Sequence, residues 1–155
     1  MNFEKRIFDI CLAVVLLIIF ALPMCVVALL IKIVSHGPIL YISDRMGVKN
    51  IIFKMFKFRT MKVGAPVVAT HLLANGQQYL IPLGQWLRKT SLDELPQLWN
   101  ILKGEMSFVG PRPALYNQQD LIALRAQRGI DQLVPGLTGW AQIHGRDELS
   151  ILDKV

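Results

Sequence analysis

Cysteine is scarce. The 155 residues contain two, and both, Cys11 and Cys25, lie inside a long apolar run, where they act as small hydrophobes and supply neither a disulfide framework nor a zinc site. None of the three histidines, His36, His71 and His144, has a ligand-spaced partner. The chain also lacks a Gly-x-x-x-x-Gly-Lys-Ser loop and a Gly-x-Gly-x-x-Gly turn, which excludes the two commonest backbone cradles for phosphate. Charged residues are few, 18% against 53% hydrophobic, and the apolar surplus is concentrated near the N-terminus. The charge that remains is biased, with Lys plus Arg 17, Asp plus Glu 11 and a formal balance of +6. Such a surface attracts phosphate-rich partners: nucleic acid, anionic lipid or nucleotide sugars. Nucleic acid is set aside because the basic residues are scattered and poorly interleaved with aromatics.

From Ile10 to Ile31 the sequence carries no charge. A straight helix of that length matches a hydrocarbon core of about 30 Å. Pro23 falls near its middle, where a missing donor and a steric clash predict a kink or break. Lys5 and Arg6 precede the run, and Lys32, Arg45 and Lys49 follow it, so neither spanning orientation is favoured by flanking charge. A helix that bends at Pro23 and returns to the same face keeps all these cations together, and a kinked helix that crosses fits the physics equally well. No small-residue cleavage pattern follows the run, and Leu22-Pro23-Met24 lacks the small residue a lipoprotein site needs before Cys25, so secretion is excluded.

The length suits one globular unit plus this segment, divided as residues 1–36 and 37–155. The expected fold class is α+β, mainly helical and membrane-associated, with one small β-hairpin. After the turn cluster at residues 35–38, Ile39 to Ser43 and Ile51 to Met61 read as the hairpin's strands, with Gly47 and Asn50 in the connection. In the second strand Lys57 and Arg59 share one face and Phe56 and Phe58 the other. Residues 63–78 read as a partly helical excursion. Leu83 to Arg88 and Pro96 to Leu102 are helical, the latter capped by Gly104. Residues 105–113 break into the rigid loop Gly110-Pro111-Arg112-Pro113. Leu115 to Arg128 reads as an amphipathic helix with Leu121, Ile122 and Leu124 inward, ended by Gly129. Pro135-Gly136 then turns the chain.

The chemistry-bearing residues cluster at Thr90-Ser91-Leu92-Asp93-Glu94-Leu95-Pro96. Ser91 with Glu94 three residues on has the spacing of a capping box, and acids in a first helical turn are ordinary dipole partners. Pro96 restricts where the helix begins, which puts the acids at its mouth. There the dipole and the neighbouring cations Arg88 and Lys89 would hold a carboxylate ionised, the form a nucleophile needs. Consecutive helical residues diverge by about 100°, so two distinct roles are more natural than one. Arg112, held between prolines, is pre-ordered to grip phosphate oxygens with parallel hydrogen bonds; the plainer alternative is a surface ion pair. Arg146, after Gly145, reads both ways for the same reasons. Carboxylate, magnesium and arginine together suffice to handle a transferred phosphate.

Four blocks in this order resemble the monotopic bacterial sugar transferases, the polyprenyl-phosphate phosphoglycosyl transferases. They are Lys57-Phe58-Arg59-Thr60-Met61, the run Ser91 to Asn100, the run Ser107 to Pro113, and Pro135-Gly136-Leu137-Thr138-Gly139-Trp140. The resemblance extends from Lys5-Arg6 to the run Trp140 to Arg146. It implies a re-entrant N-terminal helix and a bacterial inner-membrane location on the cytoplasmic face. It also implies transfer of a sugar 1-phosphate from a UDP-sugar to undecaprenyl phosphate, opening O-antigen, capsule or other glycan assembly. Asp93 would be the covalent nucleophile. Glu94 would help hold Mg2+ with it or assist the polyprenyl phosphate, and Arg112 would bind phosphate, assisted by Arg88, Lys57, Arg59 and Arg146. A homo-oligomer is allowed for. There are two departures: His144 stands where related sequences often have Asn, and the chain stops at Val155, where the family continues into further helical sequence. The alternative from another class is therefore a truncated, non-catalytic membrane-anchored scaffold or nucleotide-sugar-binding protein.

Overall fold

The computed structural model describes residues 2–66, 76–145 and 149–152. Its architecture is α+β. A long helix, α1 (Phe3–Val34), precedes the hairpin β1 (Leu40–Met46) and β2 (Ile52–Phe58). Then come α2 (Gly84–Thr90), α3 (Gln97–Lys103), β3 (Ser107–Val109), α4 (Gln119–Gln127), β4 (Gly136–Thr138) and α5 (Trp140–Ile143).

The hairpin forms as expected, antiparallel from Leu40 opposite Phe58 to Met46 opposite Ile52. Its first strand runs on to Met46, extended by an Asp44–Lys54 ion pair at 2.6 Å and by the bridge of Arg45 to Leu115. Gly104 caps α3 in the left-handed conformation, as expected. The fourth helix starts at Gln119 and not at Leu115. The Leu115 N–H donates to Gln118 Oε1 at 2.9 Å, so residues 115–118 form a turn ahead of the helix. Leu121 and Ile122 are buried on its inner face with Arg125, and Leu124 is half-buried.

A second sheet, the parallel pair β3 and β4, was not expected from the sequence. Each strand has three residues, too short to show a period. The pair depends on backbone contact at glycine: a Cβ on Gly136 would lie 2.1 Å from Gly110 N, and one on Gly139 would lie 2.1 Å from Gly110 O.

Helix α1 has 32 residues, and helical backbone continues through Pro23. Of the expected kink or break, the break is absent, because a proline costs a helix one donor and a local clash, which the chain absorbs without leaving helical geometry. Its most apolar 18-residue window has mean hydropathy 3.2, yet only 11% of that window is buried. By length and composition this helix can cross a membrane, but it is not a detached tail. In its first half, Ala13, Leu16 and Leu17 pack with Phe53, Met55, Leu98, Ile101 and Met106. In its second half, Met24, Val27, Ala28 and Ile31 pack with Phe58, Ile81 and Leu87. Leu95 packs against both clusters. Polar clips reinforce the N-terminal end of α1. The Arg6 guanidinium donates to the carbonyls of Ile101 and Leu102, both at 2.6 Å. Asp9, 1% exposed, accepts from Lys5 Nζ and from the Phe108 N–H, each at 3.4 Å.

Candidate functional site

Ser91 closes α2 with a left-handed backbone, φ 57°, and the chain then makes a single 3₁₀ turn, Leu92–Glu94, before Pro96 caps α3. The capping box does not form. Ser91 makes no side-chain cap; its backbone N–H donates to Arg88 O at 3.3 Å and its carbonyl accepts from the Glu94 N–H at 3.1 Å. Leu92 and Leu95 anchor the turn in the core, and Asp93 and Glu94 lie between these anchors. Asp93 is 7% exposed.

Three cations converge from separate elements. Lys57, near the end of β2, donates to Glu94 Oε1 at 2.7 Å. Arg112 NH1 lies 3.9 Å from the same oxygen. Arg88, on α2, acts on the Asp93 charge, and its Nε donates to Thr60 Oγ1 at 3.0 Å. Thus Asp93, Glu94, Lys57, Arg88 and Arg112 are brought together in one cluster.

Their electrostatics depart from expectation. Burial pushes the Asp93 carboxyl above the ordinary aspartate range, and Glu94 adds to the rise; Lys57 and Arg88 oppose it without cancelling it. The expectation of a carboxylate held ionised by dipole and cations is therefore corrected. Desolvation outweighs both, and α3 begins only at Gln97, beyond the acids. Burial likewise lowers the Lys57 ammonium, with Arg112 acting the same way and Glu94 opposing. An acid raised and an amine lowered within one cluster are the kind of perturbed groups that mark a candidate functional site.

Among the described residues no group of three or more His, Cys, Asp or Glu is placed to hold a metal unaided. Magnesium commonly uses one or two protein carboxylates and takes its remaining oxygens from phosphate and water. The adjacent acids Asp93 and Glu94 fit that donor set.

The other candidates lie elsewhere. Arg59 is buried, and its guanidinium donates to the carbonyls of Ser35 and His36 at 2.9 and 2.8 Å, closing the exit of α1. Arg146 is outside the described residues. His144 stacks on Trp140 with ring centroids 3.6 Å apart.

Several supporting residues escaped the sequence reading. Thr60 orients Arg88. Asn100, fully buried, accepts from the Phe56 N–H at 3.1 Å and donates to Lys54 O and Glu105 Oε2, both at 2.7 Å, which ties α3 to the strand carrying Lys57. The signal for Asn100 was a polar residue on the apolar stripe Leu98-Ile101 of a helix.

The family model described as bacterial sugar transferase matches residues 1–155. The chain is 41% identical over 157 residues to the undecaprenyl-phosphate glucose phosphotransferase of Komagataeibacter xylinus, covering 97% of this chain and 30% of that one. It is 38% identical to the UDP-glucose:undecaprenyl-phosphate glucose-1-phosphate transferase of Escherichia coli strain K12, covering 97% and 33%. It is also 38% identical to the UDP-N-acetylgalactosamine-undecaprenyl-phosphate N-acetylgalactosaminephosphotransferase of Aeromonas hydrophila, covering 92% and 34%. The chain thus spans about a third of the length of these relatives.

Proposed function

The chain belongs to the bacterial sugar transferase family, and on that premise we propose that it transfers a sugar 1-phosphate from a UDP-sugar to undecaprenyl phosphate through a covalent intermediate on Asp93. The observation that carries this reading is the buried Asp93 beside Glu94, walled by Lys57, Arg88 and Arg112. In the first half-reaction an ionised Asp93 oxygen bonds to the sugar-bearing phosphorus, the bond from that phosphorus to the bridging oxygen breaks, and UMP leaves with the electron pair. In the second, an oxygen of undecaprenyl phosphate bonds to the same phosphorus and the aspartyl–phosphorus bond breaks, which restores the carboxylate. A carboxylate whose pKa burial has raised is the more basic nucleophile once ionised. Lys57, Arg88 and Arg112 bind and orient the diphosphate oxygens and stabilise charge on the departing UMP. Asp93 and Glu94 would hold Mg2+, which supplies further charge neutralisation on the diphosphate.

The relatives named above handle different sugars, glucose and N-acetylgalactosamine, so the reading extends to the UDP-sugar class and to the opening membrane step of glycan assembly. It places α1 as a re-entrant helix at the cytoplasmic face of a bacterial inner membrane, supported by the packing of both its halves on residues of the 37–155 segment. The test is intact mass spectrometry with UDP-sugar alone. Stoichiometric UMP release and gain of one sugar phosphate are expected, lost in Asp93→Asn and suppressed by excess chelator. A binding-only scaffold would take up UDP-sugar without releasing UMP, and turnover that requires both substrates together, with no adduct, would refute the covalent step.

A further inference from the structure

Loop Gly110-Pro111-Arg112-Pro113 has few donors of its own, because two of its residues are prolines without an N–H; the Gly110 N–H donates to Thr138 O at 2.9 Å. Its carbonyl oxygens are the handles, and the structure occupies them in succession. The Gly136 N–H donates to Pro111 O at 2.9 Å. Arg125 NH1 donates to Arg112 O at 2.6 Å. Arg45 NH1 donates to Pro113 O at 3.2 Å, and the Met46 N–H donates to Ala114 O at 2.9 Å. The support behind the loop is also packed: Ala114 forms a cluster with Leu121 and Ile122 of α4, joined by Met46. The cavity lined by Pro111, Pro113, Ala114, Ile122 and Arg125 measures about 20 Å³, room for about one water.

One clamp differs from the rest. Arg125 is 8% exposed, and it grips the carbonyl of the very residue whose guanidinium faces Glu94. Desolvating a guanidinium is costly, and Arg125 spends NH1 on the Arg112 carbonyl. What the guanidinium adds is a fixed peptide plane at Arg112.

We propose that Arg125 is a positioning residue: by clamping the Arg112 carbonyl from α4 it aims the Arg112 guanidinium at the phosphate oxygens of the donor nucleotide. This rests on the reading of Arg112 given above, and it assigns a function to α4, an element outside the acidic turn. Arg125 touches neither donor nor lipid and acts through Arg112. Misplacement of a binding group by about 1 Å costs on the order of 100-fold in rate, which sets the scale of the effect.

The test is a double-mutant cycle on the protein in lipid nanodiscs, with UMP release measured across UDP-sugar concentration. Arg125→Met is expected to raise KM for the UDP-sugar about 10- to 100-fold, with the melting temperature followed alongside to separate a loss of fold from a loss of aim. Arg125→Lys, which restores a single point donor, is expected to recover part of the loss. In an Arg112→Ala background, Arg125→Met is expected to add less than twofold, because the group it aims is gone. Should Arg125→Met fail to accumulate, Arg125→Lys carries the same cycle. Independent, multiplying effects of the two sites, or KM changes below twofold in both Arg125 variants beside a damaging Arg112→Ala, would overturn the proposal. An Arg112→Ala variant with normal KM would instead overturn the assignment of Arg112 itself.

Discussion

At Asp93 the quantity that matters is where its proton sits. Burial raises the folded-state pKa, with Lys57 and Arg88 opposing, so the folded chain holds this proton more tightly than the unfolded chain does. The raised group therefore favours folding below its unfolded pKa, and that contribution is lost as pH rises through the folded value. Asp93→Asn, which stays neutral, is expected to be inactive yet to melt higher than the parent at neutral pH. The gap should close as pH falls into the ordinary aspartate range, and scanning calorimetry or a dye-free melt across pH reads it. The same sign governs chemistry: UMP release should rise with pH along a limb set by Asp93 above the ordinary aspartate range. Lys57→Met should move that limb further up, since it removes the largest opposing charge. Asp93, Glu94 and Arg112 stood out by residue type, as acids near a helix start and an arginine held between prolines, whereas Lys57 and Arg88 were assigned to the site by the family resemblance. The balance between cation and burial was not legible, since it depends on how deeply Leu92 and Leu95 draw the turn into the core, and sequence spacing carries no depth.

At the scale of elements, legibility followed length and chemistry. The hairpin and the α3 cap were readable from alternation and from Gly104, but the β3–β4 pair was not, because three-residue strands have no period and their closeness depends on glycine at both partners. Lys57 and Arg59, two residues apart, also part company. Lys57 faces Glu94, while Arg59 lies just beyond the end of β2 and its guanidinium bonds the exit of α1. Asn100 joins elements that the chain presents separately. Replacing it with Ala strands the Phe56 N–H and the Lys54 carbonyl and is expected to cost about 3 kcal/mol. That loss would appear as a lower melting temperature, with activity falling in parallel because the strand bearing Lys57 loosens.

For the whole molecule the informative feature is the contact of both halves of α1 with the domain that follows it. A helix of this length would extend about 48 Å if straight, so a membrane-crossing placement that carried one end away would have to abandon either the Arg6 clip or the Val27–Ile31 packing. Cysteine tags at residue 2 and just after residue 36 are therefore expected to be equally shielded from a membrane-impermeant periplasmic reagent. Labelling of one alone would place the ends on opposite sides. From sequence, crossing and returning were evenly matched, because flanking charge and Pro23 suit both, and the contacts that bear on the choice join residues far apart in the chain.

Leu95, which packs against both clusters two residues after Asp93, holds the acidic turn at the level of the helix that lies among lipid tails in the proposed topology. On the proposed function the lipid phosphate would reach Asp93 by sideways diffusion within its own leaflet and not from bulk water. The second half-reaction should accordingly obey surface dilution: adding inert phospholipid at constant total undecaprenyl phosphate should slow sugar-phosphate discharge in proportion to mole fraction. Adduct formation from the water-soluble UDP-sugar should proceed at its original rate.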